Sequence, residues 1–487
     1  MPVGGFHGGL RLEGRKEAAS RPIRRCPLPA LLRIALRQHP GAPAQPALRA
    51  GARVSAGQRI ACGDGPQSAD LHAPCSGEVV GVESGAEGMI TLRPDPRADA
   101  AKESALAALD PHTASPEQLR QRIAEAGIVG LGGGAFPSAD KLLAARDTLL
   151  LNGAECEPLI ACDNRLLQER AAAVIAGGEL LRRACGAASL RIAIEDSMPA
   201  ARAALEALKD SADFSLDVLP TRYPQGGERQ LIESVLGIEV PRGGLPRDVG
   251  VAVFNVGTAE AVWQAVVKGR PLTHRLVSVG GGGVAEPMVL EAAIGTPLAD
   301  LVAAAGGYRE QAVRLILGGP LTGRALTDDS HGLRKGDNAV LVLSADELPA
   351  RLPAQPCIRC GACAQACPSR LQPQLLWQFL GARQERRLLD HGLFDCIECA
   401  ACDLVCPSHL PLAAGFRDAK QAQRLQSLQQ EQARLARQRF EQRQLRLERI
   451  AAERVAQQAE QQRRLLAQDA VRAALQRARC GSKGDGA

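Results

Sequence analysis

Cys357-Ile358-Arg359-Cys360-Gly361-Ala362-Cys363-Ala364-Gln365-Ala366-Cys367-Pro368 is followed by Cys396-Ile397-Glu398-Cys399-Ala400-Ala401-Cys402-Asp403-Leu404-Val405-Cys406-Pro407. Both runs read Cys-x-x-Cys-x-x-Cys-x-x-x-Cys-Pro, the spacing of bacterial two-cluster ferredoxins. A 4Fe–4S cube needs four thiolates converging on it. A tight Cys-x-x-Cys-x-x-Cys turn supplies three, and in paired runs the cysteine before proline ligates the opposite cube. The spacing therefore predicts one cube on Cys357, Cys360, Cys363 and Cys406, and a second on Cys396, Cys399, Cys402 and Cys367. Structural zinc favours separated cysteine pairs or cysteine with histidine, which fits two matching runs closed by Cys-Pro poorly. A disulfide framework belongs to small exported domains. This chain is long, and its opening residues, Met1 to His7, carry no apolar export segment. The cysteine runs read as an electron carrier working in one-electron steps.

A chain of 487 residues has room for about three or four domains. Its net charge of +6 gathers at one end: from Pro411 to Ala487 there are 16 Lys/Arg against 8 Asp/Glu, so the rest sums to about −2. Aromatic residues are only 2%, too few for a base-stacking surface, and no nucleic-acid partner is expected. No uncharged apolar run reaches the roughly 18 residues of a membrane-crossing helix, so any membrane role is peripheral, through a partner or a basic surface.

Residues 1–105 are rich in Gly, Pro and Ala, and Ala69 to Val82 reads as a turn followed by a strand. This part is similar to the small sandwich of biotinyl and lipoyl modules, without a lysine at the hairpin where a carrier group would attach. Residues 106–270 alternate helices with short apolar strands at 149–151, 190–194 and 251–255, an α/β pattern. Helices are expected at Pro116–Ala126, Arg165–Ile175, Ala200–Leu208 and Thr258–Val267. Residues 271–325 read as a small α+β module with strands at 276–279, 288–292 and 315–317. Beyond Gly415 the chain is rich in Gln, Arg, Ala and Leu and free of Pro and Gly up to Cys480. A long helix is plausible there, but Leu428, Leu435, Leu445 and Val455 make no clean heptad, so a partly disordered or partner-bound helix is expected.

The loop Gly130-Leu131-Gly132-Gly133-Gly134-Ala135-Phe136-Pro137-Ser138 follows a helix rather than a strand. It is therefore neither a dinucleotide fingerprint nor a Walker A loop. Its glycines can let backbone amides approach a phosphate or a planar ring; a plain turn is the alternative. Asn152-Gly153-Ala154-Glu155-Cys156-Glu157-Pro158 places two carboxylates after a strand, where α/β sheets bind ligands; a helix cap is the alternative. Tyr223-Pro224-Gln225-Gly226-Gly227-Glu228 and Asn255-Val256-Gly257-Thr258 add two more loops. Each is weak alone, and together they suggest one nucleotide pocket.

These pieces, in this order and followed by the double cysteine run, resemble the C subunit of the Rnf/Rsx ion-translocating electron-transport complexes. The resemblance runs from Phe6-His7-Gly8-Gly9 to Pro407. The central part is also similar to the flavin- and NADH-binding subunit of respiratory complex I. The implied fold is a multidomain α/β chain. It comprises a barrel-sandwich-like β module (1–105), an α/β FMN/NADH-binding domain (106–270), an SLBB-type α+β module (271–325), a linker (326–350), a ferredoxin-type domain for two 4Fe–4S clusters (351–412) and a helical or disordered tail (413–487). The resemblance implies NADH oxidation by noncovalent FMN. Gly132, Gly133 and Gly134 would lie along flavin and nucleotide, and Asn152, Glu155 and Glu157 along the ring and ribitol. Gly227, Glu228, Asn255 and Thr258 would complete the pocket, with Phe136 stacking on a nucleotide ring. It further implies integral-membrane and flavoprotein partner subunits, ferredoxin reached through them, and a place on the cytoplasmic face of the bacterial inner membrane. Two rivals remain from the residues alone: a soluble NAD(P)H- or ferredoxin-linked iron–sulfur flavoprotein, and a cluster-bearing adaptor with no flavin of its own.

Overall fold

The computed structural model describes residues 5–96, 106–107, 109–143, 146–348 and 352–481. The expected boundaries at 105 and at 350–351 lie outside the described residues. Two compact units are present, Met1–Phe416 and Arg417–Ala487.

The N-terminal part of the first unit is built from two small antiparallel sheets. One pairs Leu32–Ala35, Met89–Pro94, Gly77–Glu83 and Arg53–Val54 in that order, and the other pairs Gln45–Pro46, Arg59–Cys62 and Leu71–His72. Alternation sets the faces: Leu32 and Ile34 are buried and the intervening Arg33 is not. Their core is Leu32, Ile34, Ile60, Leu71, Val79, Ile90 and Leu92.

The α/β domain centres on a four-stranded parallel sheet in the order Ser215–Leu219, Ser189–Glu195, Thr148–Gly153, Val251–Asn255. Leu149, Leu150 and Leu151 are all fully buried because helices cover both faces, so these strands read as unbroken apolar runs. The edge strand Ser215–Leu219 has no such signal. Its Asp217 is held by Arg191 of the next strand, so tertiary pairing, not an apolar run, makes it a strand. The Pro116–Glu125 helix starts at a Ser115/Gln118 capping box. The Cys162–Cys185 helix is longer than the expected 165–175 and ends at Gly186 in the left-handed conformation. A Cβ at Gly177 would collide with the Ala259 carbonyl, so glycine there lets this helix lie directly on Val256–Val267.

The next module differs from the expected 271–325. Its six-stranded sheet runs Arg24–Arg25, Met288–Ala293, His274–Gly280, Ala339–Ser344, Ala312–Leu317, Arg324–Leu326. The stretch 326–350, expected to be a linker, contributes the Ala339–Ser344 strand between His274–Gly280 and Ala312–Leu317. Every residue of that strand is buried. Arg24–Arg25 pairs in parallel with Leu290–Glu291, so the sheet draws one strand from far upstream, which no local pattern signals.

Residues 352–411 contain only short helices among the described residues: Ala362–Ala366, Pro373–Gly381, Glu385–Asp390, Leu393–Asp395 and Ala401–Leu404. The final helix is Leu412–Gly481. In the second unit Leu428, Leu435, Leu445 and Val455 are all exposed, consistent with the missing heptad, and they lie on the Leu412–Gly481 helix. No helix among the described residues is long and apolar enough to cross a membrane.

Candidate functional site

The two cysteine runs fold as near-copies because equivalent residues take the same backbone conformation. Arg359 and Glu398, Gly361 and Ala400, and Arg370 and His409 all have positive φ. These left-handed residues turn the chain sharply, which lets the sulfurs converge. Cys357, Cys360, Cys363 and Cys406 line one cavity of about 350 Å³. Cys367, Cys396, Cys399 and Cys402 line a second of about 350 Å³. The structure thus brings together the two crossed sets expected from the spacing. Backbone amides of Arg359, Leu371 and Glu398 donate to Cys357, Cys367 and Cys396 Sγ at 3.4 Å, the kind of contact that stabilises charge on a ligating sulfur. Burial pushes the Cys399 thiol up to about 11 and, with the nearby Asp403 carboxylate, raises Cys402 further. Metal binding at this set must therefore displace protons. Four sulfurs around each cavity, with no histidine or carboxylate in either lining, fit a 4Fe–4S cube.

The second site lies at the C-terminal edge of the parallel sheet. The glycine loop is closed at its base by Gly130 N–H donating to the Phe136 carbonyl at 2.7 Å and Ala135 N–H to the Gly130 carbonyl at 3.1 Å. Thr258 anchors it by accepting from Leu131 N–H at 2.9 Å. Gly132 packs against the Asn255 side chain, while a Cβ at Gly133 or Gly134 would meet open space. Asn255 caps its own helix by accepting from Gly257 N–H at 2.8 Å, and its amide donates to Asp163 at 2.6 Å. Asn152 accepts from Ala154 N–H and donates to the Gly226 carbonyl at 2.9 Å, which ties the second loop to the third. Gly227 precedes the Glu228–Leu236 helix, and Glu228 pairs with Lys141 at 3.1 Å. Gly132, Gly133, Gly134, Asn152, Gly227, Glu228, Asn255 and Thr258 are thereby gathered around one end of the sheet.

Three expected residues stand differently. Phe136 is held in the loop by its backbone, and no ring partner of it is seen among the described residues. The Glu155 carboxylate is 7% exposed and accepts from Asp163 N–H at 3.0 Å and Asn164 N–H at 3.2 Å. It caps the Cys162–Cys185 helix, the alternative reading of that motif. Glu157 accepts from Leu321 N–H at 2.7 Å, Thr322 N–H at 2.8 Å and the Thr322 hydroxyl at 2.8 Å. A Cβ at Gly319 would collide with it. Both carboxylates serve the scaffold because backbone N–H groups left unpaired at a helix start and a turn take them up.

Sequence reasoning missed four residues. Lys141 reaches Glu228 and lies 5.8 Å over the Phe254 ring; it stands three residues past Ser138, where the glycine motif ends. Lys16 donates to the carbonyls of Glu155 at 2.6 Å, Glu157 at 2.9 Å and Ile160 at 2.5 Å, which fixes the whole second loop from a segment with no local signal. Asp163 is half-buried, and desolvation together with Glu155 pushes it up to about 7 against the opposing pull of Asn255, Arg275 and Lys16. Tyr223 is buried, and its hydroxyl donates to the Cys399 carbonyl at 2.6 Å. A separate groove, lined by Arg25, Asp163, Arg170, Gln264 and Arg275 among others, contains none of the expected flavin residues.

Four family models match the chain: the RnfC barrel sandwich hybrid domain over 4–89, the Nuo51 FMN-binding domain over 123–264, the SLBB domain over 276–325 and a 4Fe-4S dicluster domain over 356–410. The C subunit of the ion-translocating oxidoreductase complex of Pseudomonas aeruginosa is 46% identical over 91% of this chain and 58% of its own length. That of Rhodobacter capsulatus is 42% identical over 85% of this chain and 82% of its own, and that of Serratia proteamaculans 38% over 97% and 69%. The chain thus spans just over half the length of the Pseudomonas relative and most of the Rhodobacter one. It carries an FMN-binding domain and a 4Fe–4S dicluster domain, and it belongs to the family formed by the C subunits of ion-translocating oxidoreductase complexes.

Proposed function

We propose that this chain is the peripheral electron-input subunit of a membrane-bound, ion-translocating oxidoreductase. It moves electrons between NADH, a noncovalent FMN and two 4Fe–4S clusters. The observation that carries this reading is that one compact unit holds both a glycine loop at the end of a parallel sheet and two four-cysteine cavities. Open space beside Gly133 and Gly134, and the start of the Val256–Val267 helix beside Gly132, suit a planar ring with a phosphate. Gly132, Gly133, Gly134, Asn152, Gly227, Glu228, Asn255 and Thr258 are the residues that would hold FMN, with Lys141 added from the geometry. Cys357, Cys360, Cys363 and Cys406 would hold one cube, and Cys367, Cys396, Cys399 and Cys402 the other. Bound FMN supplies the conversion of a two-electron donor into single electrons for clusters that accept one at a time.

Integral-membrane and flavoprotein subunits of the same complex are the partners, with ferredoxin reached through them. The chain sits peripherally on the cytoplasmic face of the inner membrane, and the transported cation crosses within those partners. The test is anaerobic purification with iron, sulfide and flavin quantified, followed by NADH addition watched in the flavin and cluster bands. Flavin bleaching followed by cluster reduction is expected. Protein that holds zinc, lacks sulfide or gives no flavin bleaching overturns the reading.

A further inference from the structure

The two cysteine sets do not stand equally toward the α/β domain. Tyr223 opens the turn whose Gly226 carbonyl accepts from the Asn152 amide, and its hydroxyl is bonded to the carbonyl of Cys399. Tyr223 and Cys399 share a buried cluster with Ala401, against which Leu10, Leu12, Cys156 and Leu321 pack. Cys156 in turn belongs to the Asn152–Pro158 loop, where its Sγ accepts from Gly226 N–H at 3.3 Å. One layer of side chains therefore separates the pocket loops from the second set.

A strap from the start of the chain locks this arrangement. Leu10 and Tyr223 exchange backbone hydrogen bonds at 2.8 and 2.7 Å. Gly9 N–H donates to the Ala366 carbonyl at 2.9 Å, and His7 Nδ1 lies 3.1 Å from the Cys367 carbonyl. Gly8 and Gly9 have φ of +70° and +77°, and a Cβ on either would sit 2.7 Å from the Cys367 or Tyr223 backbone. Phe6 is buried under the Arg222 guanidinium, 5.2 Å from its ring. The strap thus grips Tyr223 on one side and Cys367 on the other. Cys367 lies in the first sequence run but lines the second cavity. In the first set, by contrast, Cys360 is exposed and the neighbouring Ile358 is 68% exposed.

We propose that Tyr223 and the Phe6–Leu10 strap are positioning residues. They seat the Cys367–Cys396–Cys399–Cys402 set against the flavin loops as the electron entry, leaving the Cys357–Cys360–Cys363–Cys406 set, open at Cys360, as the outlet to an acceptor protein. The inference rests on the electron-transfer reading above. With FMN held by the loops, NADH would give it a hydride and leave as NAD⁺; the two electrons would then pass singly through the inner set to the outer one and on to the acceptor protein, and the hydride's hydrogen would return to solvent as a proton.

The experiment uses the anaerobically loaded full chain, mixed with NADH, frozen after milliseconds and read by low-temperature paramagnetic resonance. With the outer set removed (Cys357→Ser with Cys360→Ser), the inner signal should appear at the native rate. With the inner set removed (Cys396→Ser with Cys399→Ser), the outer signal should appear at least ten-fold more slowly, while dithionite still reduces it fully. The reverse pattern, or equal rates, overturns the order. Tyr223→Phe keeps the ring and all eight cysteines. It should shift the midpoint of the inner signal alone and slow its appearance several-fold relative to flavin bleaching. An unchanged midpoint and rate would remove Tyr223 from this role. If NADH fails to bleach the flavin in native protein, the NADH reading fails by itself. The flavin is then reduced by light with EDTA, and the order is read from the same signals.

Discussion

The two cysteine runs share a sequence pattern, a backbone and a cavity size, yet one is clamped and the other is open. The set holding Cys396, Cys399 and Cys402 is fastened by Tyr223, by the glycine strap at Cys367, and by Arg370 to Glu233 and Glu239 of the α/β domain. The set holding Cys357 and Cys360 presents Cys360 and Ile358 to solvent. Local sequence makes the sulfurs converge, and surroundings decide what each set can exchange electrons with. An internal repeat does not by itself imply two equal roles.

The largest expected effect tests the crossing itself. Cys367→Ser and Cys406→Ser should each lose roughly half of the iron, since each removes one ligand from one of two cubes. The first should erase the signal of the Cys396 triplet and the second that of the Cys357 triplet. If both damage the cube of the nearer triplet, the sets are not crossed. Next is the strap. Gly9→Ala places a Cβ in a left-handed conformation against the Tyr223 carbonyl and should cost about 3 kcal/mol of thermal stability. The outer cluster signal should stay unaltered.

Protonation gives a third contrast, between the flavin side and the cysteine sets. Asp163 is raised to about 7 by burial and by Glu155, with Asn255, Arg275 and Lys16 opposing. The folded state therefore holds its proton where the unfolded chain, at about 3.9, does not. Stability should fall as pH rises from about 4 through 7. Asp163→Asn should flatten that slope in melts at pH 5 and 8, while leaving the iron content constant. A slope unchanged by the substitution would locate the titration elsewhere.

The equivalent left-handed positions sharpen the comparison further. Gly361 (φ +80°) has open space around it, and Ala400 takes the same place at φ +58°. Gly361→Ala should destabilise by about 1 kcal/mol and Ala400→Gly should stabilise by a similar or smaller amount. A departure from these opposite signs would show that the two turns are not equivalent. Smallest is Arg370→Ala. Its side chain is 55% exposed, so the loss should be at most about 1 kcal/mol and should vanish at high salt. His409, its counterpart in the second run, should give no salt-dependent change.

Legibility varied with how local the physics was. The parallel strands at Leu149–Leu151 and Val251–Asn255 are readable because strands buried on both faces leave apolar runs, and Leu190–Ile194 is broken only by Arg191, which pairs with Asp217 of the edge strand. Ser215–Leu219 is not, because a polar edge strand has no such run. Ala339–Ser344 is apolar enough, but it lies past the apparent end of its module, and its place between His274–Gly280 and Ala312–Leu317 is set by pairing across the chain. At the site, the four loops suggest a shared pocket from their residues, and the roles of their glycines and asparagines come from the family resemblance. Glu155 and Glu157 look like free acceptors because a sequence does not show which backbone N–H groups lack partners. Lys16, Lys141 and Tyr223 act through partners far away in the chain.

The amino-acid order by itself determined the two fourfold sulfur sets. The spacing of thiols in a tight turn, with a fourth before proline, leaves few ways to enclose a cube. It also fixed the α/β core and the glycine loop, whose chemistry is written within a few consecutive residues. Only the tertiary structure decided that Glu155 and Glu157 brace the scaffold, that residues 339–344 complete a sheet, and that a strap from the start of the chain ties Tyr223 to the Ala366–Cys367 backbone. Those outcomes depend on unpaired backbone groups and close approaches between distant segments, which exist only once the chain has folded.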